Sequence, residues 1–378
     1  MTRKERLLAT LQGKPVDRPP VCFYELNGYD EDPGNPDAFN IYTHPSWKPL
    51  IDLAREESDR IVMRGVAFRE IAPDPIARLA IETREIRNGN LFTKKVLQTP
   101  GGRTLQTVSR QDPDINTIWT VEPLLKVPED LDSFLETDIS DHDSTIDPLP
   151  FMKVEQDLGE TGLAMIDTPD PLCLAALLFD MGTYTTVALT EQQKFHQLLE
   201  KFAGVLLPKT SEVAAALPGR LWRIYGPEFA SPPYLPPALF REYVCRYVEP
   251  MIRIIHQSGG YARIHCHGNI RDILGDIAGM GADAIDPIEP PPQGDVTLKF
   301  VRERFGHQLV LFGNIECADI ENLRPRDFEC KVAAALTEGT SGTGRGFVLM
   351  PSASPYGRIL QPHVIENYRT MIRLARSL

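Results

Sequence analysis

Eight histidines are spread over 378 residues, and two of them bracket a cysteine in "RIHCHGNI", Arg263 to Ile270. Side chains two apart on a strand point the same way, so His265 and His267 can converge on one point while Cys266 faces the other side. Neutral imidazole is a common zinc ligand, and a catalytic zinc takes about three protein ligands and leaves one position open. Two histidines leave that set one short. Glu228 in "LWRIYGPE" and Glu289 in "ADAIDPIEP" close the apolar runs before and after the histidine run, and either supplies a third donor; Cys317, just past "FGNI", is a remoter one. Glu289 is the preferred ligand, because the prolines of "IEPPPQGD" stiffen the loop behind it. Glu228 is then left to touch substrate or to back a ligand. In a dry mouth without metal, either carboxyl would have a raised pKa and serve as a general acid or base.

Such residues must be held by a scaffold, and the chain supplies a repeating one. Short apolar runs rich in β-branched or aromatic residues recur, most of them followed by turn residues and then a helical period. Eight are readable: "PPVCFYEL", "RIVMRGVA", "GLAMIDTPD", "LWRIYGPE", "YARIHCHG", "ADAIDPIEP", "QLVLFGNIE" and "GFVLMPSAS". Helical segments such as "TEQQKFHQLLEKFAGVLLPKTSEVAAAL" and "PALFREYVCRYVEPMIRIIHQSGG" lie between them, the second closing on a Gly pair. Eight strands alternating with helices predict a single α/β domain over residues 1–378, a (β/α)₈ TIM barrel, with a doubly wound open sheet as the alternative. Residues 79–119 break the alternation. With turns at "RNGN" and "TPGG" they predict an antiparallel β insertion over one end of the barrel. "EDLDSFLETDISDHDSTIDPLP" then reads as surface linker.

Active sites of such barrels gather at the C-terminal strand ends. Besides the histidines and the two glutamates, those ends offer Glu25, Asn27, Arg64, Asp167, Asn314 and Ser352 for substrate binding. Asp295 is expected to cap the helix of "DVTLKFVRERFG". His44, His142, His196, His256, His307 and His363 have no partner at ligand spacing and read as ordinary surface or core residues.

Composition narrows the partners. A net charge of -12 would repel nucleic acid and anionic membranes, which leaves small molecules. No apolar run is long enough to span a bilayer, and six scattered cysteines without a CxxC pair fit reduced thiols, so a cytoplasmic protein is expected.

Four segments together resemble the uroporphyrinogen decarboxylase superfamily, which includes cobamide-dependent methyltransferases: "TRKERLLATLQGKPVDRPPV", "GPEFASPPYLPPALFREYV", "IHCHGN" and "FGNIE". The resemblance runs nearly end to end and implies one (β/α)₈ barrel. The decarboxylase branch holds a porphyrinogen of eight carboxylates with an Arg-rich loop after the first strand. Here that loop is "ELNGYDEDPG", with Glu25, Asp30, Glu31 and Asp32 and no base, so uroporphyrinogen is expected to be a poor substrate. The methyltransferase branch holds zinc through a His and two Cys. His265 matches the first position, His267 stands at the second, and Ala353 stands where the late cysteine would be. Imidazole and carboxylate in place of thiolates would make the zinc a stronger Lewis acid, suited to an oxygen or folate-type acceptor as well as a thiol.

The resemblance therefore implies a metal-dependent methyltransferase with a set of companions: Zn²⁺, a corrinoid as methyl carrier, a corrinoid protein or methylated small molecule as partner, and a homodimer as the assembly to test. A decarboxylase of a less anionic substrate, and a barrel that binds a tetrapyrrole or corrinoid without turnover, are the alternatives. Metal content separates the first from the second, and turnover of methylcobalamin separates the first from the third.

Overall fold

Why the apolar runs become strands is visible in what each face of them touches. In the computed structural model, which describes residues 1–28, 37–69, 75–140 and 144–378 apart from the Asn27 side chain, the strands are β1 (Arg60–Arg64), β2 (Ala67–Arg69), β3 (Ile81–Arg87), β4 (Asn90–Gln98), β5 (Thr104–Gln111), β6 (Ile118–Glu122), β7 (Thr145–Asp147), β8 (Gly162–Pro169), β9 (Leu221–Tyr225), β10 (Tyr261–His265), β11 (Ala284–Asp286), β12 (Val310–Ile315) and β13 (Phe347–Pro351). Seven of them form one parallel sheet in the order β1-β8-β9-β10-β11-β12-β13. One set of alternating residues, Ile61, Met165, Leu221, Ala284, Val310, Phe312, Val348 and Met350, meets in a single cluster with Leu7 and Leu11 of the helix Arg3–Leu11. That convergence means the sheet is curled, with the first helix against its inner apolar floor. The other set, including Val62, Ile166, Ile224, Ile264, Ile285, Leu311 and Leu349, packs outward in the larger core that the helices cover. Cys266 belongs to this outer set, as its parity requires.

The seven runs from "RIVMRGVA" onward are strands. The first expected run, around Val21, makes a single bridge to Leu349 instead, while the Asp59 backbone N–H donates to the Val21 carbonyl at 2.7 Å. Asp59, wholly buried, holds that segment down: its carboxylate accepts from Arg6, Arg18 and the Val21 N–H at 2.6 to 2.8 Å.

The insertion is a four-stranded antiparallel sheet, β3-β4-β5-β6, and it lies at the end of the molecule where β13 finishes: Asn116 N–H donates to the Tyr356 carbonyl and Arg358 N–H to that of Asp114. The Pro- and Asp-rich run after it is only partly linker. It carries the helix Pro128–Leu135, whose Leu131 and Phe134 are buried in the core, and β7, which pairs with β2. Of the two long helical segments, the first forms the helix Gln192–Ala216. The second is helical from Pro237 to Gln257 through a wider turn at Arg241–Cys245.

Candidate active site at the end of β10

His265 is the last residue of β10, paired in register with Asp286 at the end of β11, and it is almost fully buried. Its Nδ1 lies 2.8 Å from Asp286 Oδ2. His267 follows the strand and has its Nδ1 2.8 Å from Glu289 Oε1, while Glu289 Oε2 accepts the Gly268 N–H at 2.7 Å. A carboxylate at Nδ1 fixes the proton there in the neutral ring and leaves the Nε2 lone pair to face another partner. The two rings are perpendicular with centroids 4.6 Å apart. The i, i+2 spacing does bring the histidines together, each backed by a carboxylate of the next strand or its loop.

Charge in this neighbourhood is layered. Asp286 also lies 3.0 Å from Arg263 Nε, an ion pair whose two side chains are 1% and 0% exposed. Burial works against the Asp286 charge, but Arg263 and His265 outweigh it and hold that carboxyl well below its usual range. Burial, and then the nearby Arg223, depress His265 to about 3, so its ring is neutral at physiological pH. Arg223, on β9, donates to Asp167 Oδ1 and to the Tyr24 hydroxyl at 2.9 Å each, and Tyr24 stacks over His265 with centroids 6.1 Å apart. For His267, burial opposes the imidazolium, yet the Glu289 hydrogen bond and charge raise its pKa.

Glu228 shares with His267 and Glu289 a cavity of about 420 Å³ whose wall includes Met181, Phe229 and Tyr234. Its carboxyl accepts the Gly226 N–H at 3.0 Å and is pushed up by burial. The preferred ligand of the sequence reading, Glu289, has both oxygens engaged, and Glu228 has one. Among the described residues, no group of three or more His, Cys, Asp and Glu side chains stands arranged to hold a metal ion.

The remaining expected residues divide. Glu25 reaches the mouth: burial raises its pKa, with Arg223 pulling the other way and Asp167 and His267 close enough to act on it. Asp167 is there through Arg223. Ser352 donates to Glu316 Oε2 at 3.2 Å and accepts the Cys317 N–H at 3.1 Å, so it orients a carboxylate. Arg64 alternates with Met63, which packs with the inner set, and donates to the Met63 carbonyl. Asn314 lines a separate cavity of about 180 Å³ with Thr297, Asp319 and Lys331. The Asn27 side chain, His142 and the acids Asp30, Glu31 and Asp32 lie outside the described residues. Cys317 starts the helix Cys317–Asn322, and burial raises its thiol pKa. Asp295 does not cap the helix Leu298–Phe305. Thr297 does, and Asp295 accepts the Ile270 and Arg271 N–H groups, bracing the loop after His267.

The sequence reading passed over Tyr24, Arg223, Arg263, Asp286 and Glu316. A signal existed for three of them: Arg223 in "LWRIY", Arg263 in "YARIH" and Asp286 in "AID" are charges set inside apolar strands, which are expensive to bury unpaired. The Glu316 carboxyl is pushed up to about 7 by burial and then by the Glu289 charge.

Residues 170–378 match the family described as Uroporphyrinogen decarboxylase (URO-D), a span holding β9 through β13 and the two histidines with Asp286 and Glu289. The chain belongs to the uroporphyrinogen decarboxylase family. Among solved structures, a methyltransferase from Methanosarcina mazei is similar over 100% of this chain and 98% of its own, at 15% identity and a TM-score of 0.62, a likeness of fold. An endoglucanase from Bacteroides salanitronis overlaps 62% of this chain and 78% of its own at 10% identity, with a TM-score of 0.34. A search of curated proteins finds no match. Within this family the uroporphyrinogen decarboxylase scaffold here carries His265 and His267 as a carboxylate-backed pair.

Proposed function

We propose that this member of the uroporphyrinogen decarboxylase family is a metal-assisted methyltransferase, moving a methyl group between a corrinoid or methylated small molecule and a small acceptor. The observation that carries the reading is the pair of imidazoles on one strand end, each with Nδ1 held by a carboxylate. Outer carboxylates of this kind orient metal-ligating histidines and raise their basicity. The donor chemistry thus fits a divalent metal such as zinc, with His265 and His267 as two ligands. Glu228 is the third donor by this reading, since it lines the cavity beside His267 and, among the described residues, its carboxyl has backbone N–H groups to give up, those of Gly226 and of Glu228 itself. Glu289 becomes the outer carboxylate of His267, in the place that Asp286 takes for His265.

A bound zinc would act as a Lewis acid on the acceptor atom and lower its pKa. The chain's own residues do the rest. Arg263 and Asp286 fix the His265 tautomer, Tyr24 covers the face of its ring, and Glu316, near neutrality in its protonation, can hold or release a proton beside the site. Closure of the sheet into an eight-stranded barrel, with the Val21 segment as first strand, belongs to the same proposal. It is supported by bonds from Cys22 N–H to the Leu349 carbonyl, from Leu349 N–H to that of Pro20, and from Asp59 N–H to that of Val21. Six free cysteines fit a reducing compartment such as the cytoplasm.

A second reading, decarboxylation of an anionic substrate, is favoured by Arg223, whose buried Nε has no hydrogen-bond partner among the described residues. Metal analysis of the purified wild type and of His265→Ala, Glu228→Gln and Glu289→Gln, together with methylcobalamin turnover, decides between them. The methyltransferase reading expects about one divalent metal per chain, lost in the first two variants and held about 10–100-fold more weakly in the third. A metal-free wild type that releases CO₂ from a carboxylated substrate overturns it.

A further inference from the structure

The cavity of about 420 Å³ beside His267 and Glu289 is within the range of small-ligand sites. Phe229, Tyr234 and the thioether of Met181 form the apolar part of its wall, Glu228 and Gln293 stand among them, and no Lys or Arg lines it among the described residues. Glu25, Glu228, Glu289 and Glu316 all lie within electrostatic reach of His267, the one basic group of that wall, which Glu289 meets at 2.8 Å. The guanidiniums of the neighbourhood, Arg223 and Arg263, are paired with Asp167 and Asp286. Four carboxyls outnumber the charges of a divalent metal, so the mouth is acidic with or without one. A concave site lined by one sign of charge focuses its field on an entering ligand. The faces of the two rings add to it, because an aromatic face is negative and attracts a weakly hydrated cation.

We infer that this cavity binds a quaternary ammonium compound, its methyl groups against Phe229, Tyr234 and Met181 and its charge answered by the carboxyls. A neutral apolar ligand would meet the same rings without using the charge, and an anion would be repelled by it. Casting that ligand as the methyl donor rests on the proposed function: the lone pair of the acceptor forms the new bond to a methyl carbon while the C–N bond breaks, and its electron pair leaves with a neutral tertiary amine. The binding itself needs neither metal nor turnover.

The test compares choline with its neutral carbon isostere 3,3-dimethylbutan-1-ol, each titrated against the full chain and followed by saturation-transfer NMR of its methyl signal. Choline should bind at least about tenfold more tightly, as cation–π and charge attraction together allow. Tyr234→Leu, at a ring 43% exposed, should lower that preference about threefold while keeping the affinity for the isostere. Gln293→Lys, at an exposed position, sets an ammonium in the wall and should remove choline binding but not that of the isostere. Circular dichroism of each variant controls for folding. No choline binding, equal affinity for the two compounds in wild type, or choline binding unchanged in either variant overturns the inference. A chain that binds choline as described but holds no metal and turns over no methylcobalamin keeps the inference and loses the proposed function, and the converse result does the reverse.

Discussion

Replacing Asp286 by Asn keeps the shape of the side chain and removes its charge, at a position where two buried groups depend on it. Arg263 is 1% exposed and its Nε lies 3.0 Å from the Asp286 carboxylate, so in the variant a guanidinium is left in the interior with an amide facing it. Breaking a buried ion pair by removing one partner costs about 3–5 kcal/mol. The hydrogen bond to His265 also changes from charge-assisted to neutral, a loss of about 1 kcal/mol that overlaps with the first because both draw on the same desolvated carboxylate. The expected total is therefore about 3–5 kcal/mol, a large part of the roughly 5–15 kcal/mol that holds a domain folded. Urea denaturation followed by circular dichroism reads it directly. The double variant Arg263→Met/Asp286→Asn should recover part of the loss, since the stranded cation is gone and Met occupies similar volume. A cost below about 1 kcal/mol in the single variant, or a double variant less stable than the single, refutes the account of Arg263 and Asp286 as a mutually dependent pair.

Glu316 gives a pH signature. A carboxyl whose folded pKa is raised binds its proton more tightly in the folded state, so it favours folding at acid pH and this contribution is lost as pH rises from the unfolded value near 4.5 through about 7. Unfolding free energies between pH 5 and 8.5 should fall less steeply for Glu316→Gln than for wild type, and identical slopes would count against the buried acid. Gly226 has φ +119°, and a Cβ there would stand 2.3 Å from Asp170 Oδ1 and 2.4 Å from Cys173 Cβ. Gly226→Ala should cost about 2–5 kcal/mol in the same urea assay, from strain and overpacking together, whereas an effect under about 1 kcal/mol would mean that the start of the helix Pro171–Ala176 gives way.

The local pattern of residues determined much of this molecule. Seven apolar runs, from "RIVMRGVA" to "GFVLMPSAS", are strands because a period of two buries one face on an inner cluster and the other under helices, and both demands are written in the order of residues. The antiparallel insertion was equally legible from its turns, and the convergence of His265 and His267 follows from strand parity alone. What sequence could not assign is partnership across strands. Glu289 read as a ligand because a stiff loop holds it, but the fold turns that loop so that its carboxylate meets His267 and the Gly268 N–H. Asp295 stands two residues before the true cap and instead braces a loop 25 residues earlier. Arg223, Arg263 and Asp286 were visible only as charges inside apolar strands, and which acid answers which base depends on the register of β8, β9, β10 and β11. Parity is a property of one strand and is fixed by its own residues, whereas a pair of charges is a property of two strands and exists only once the sheet has set them side by side.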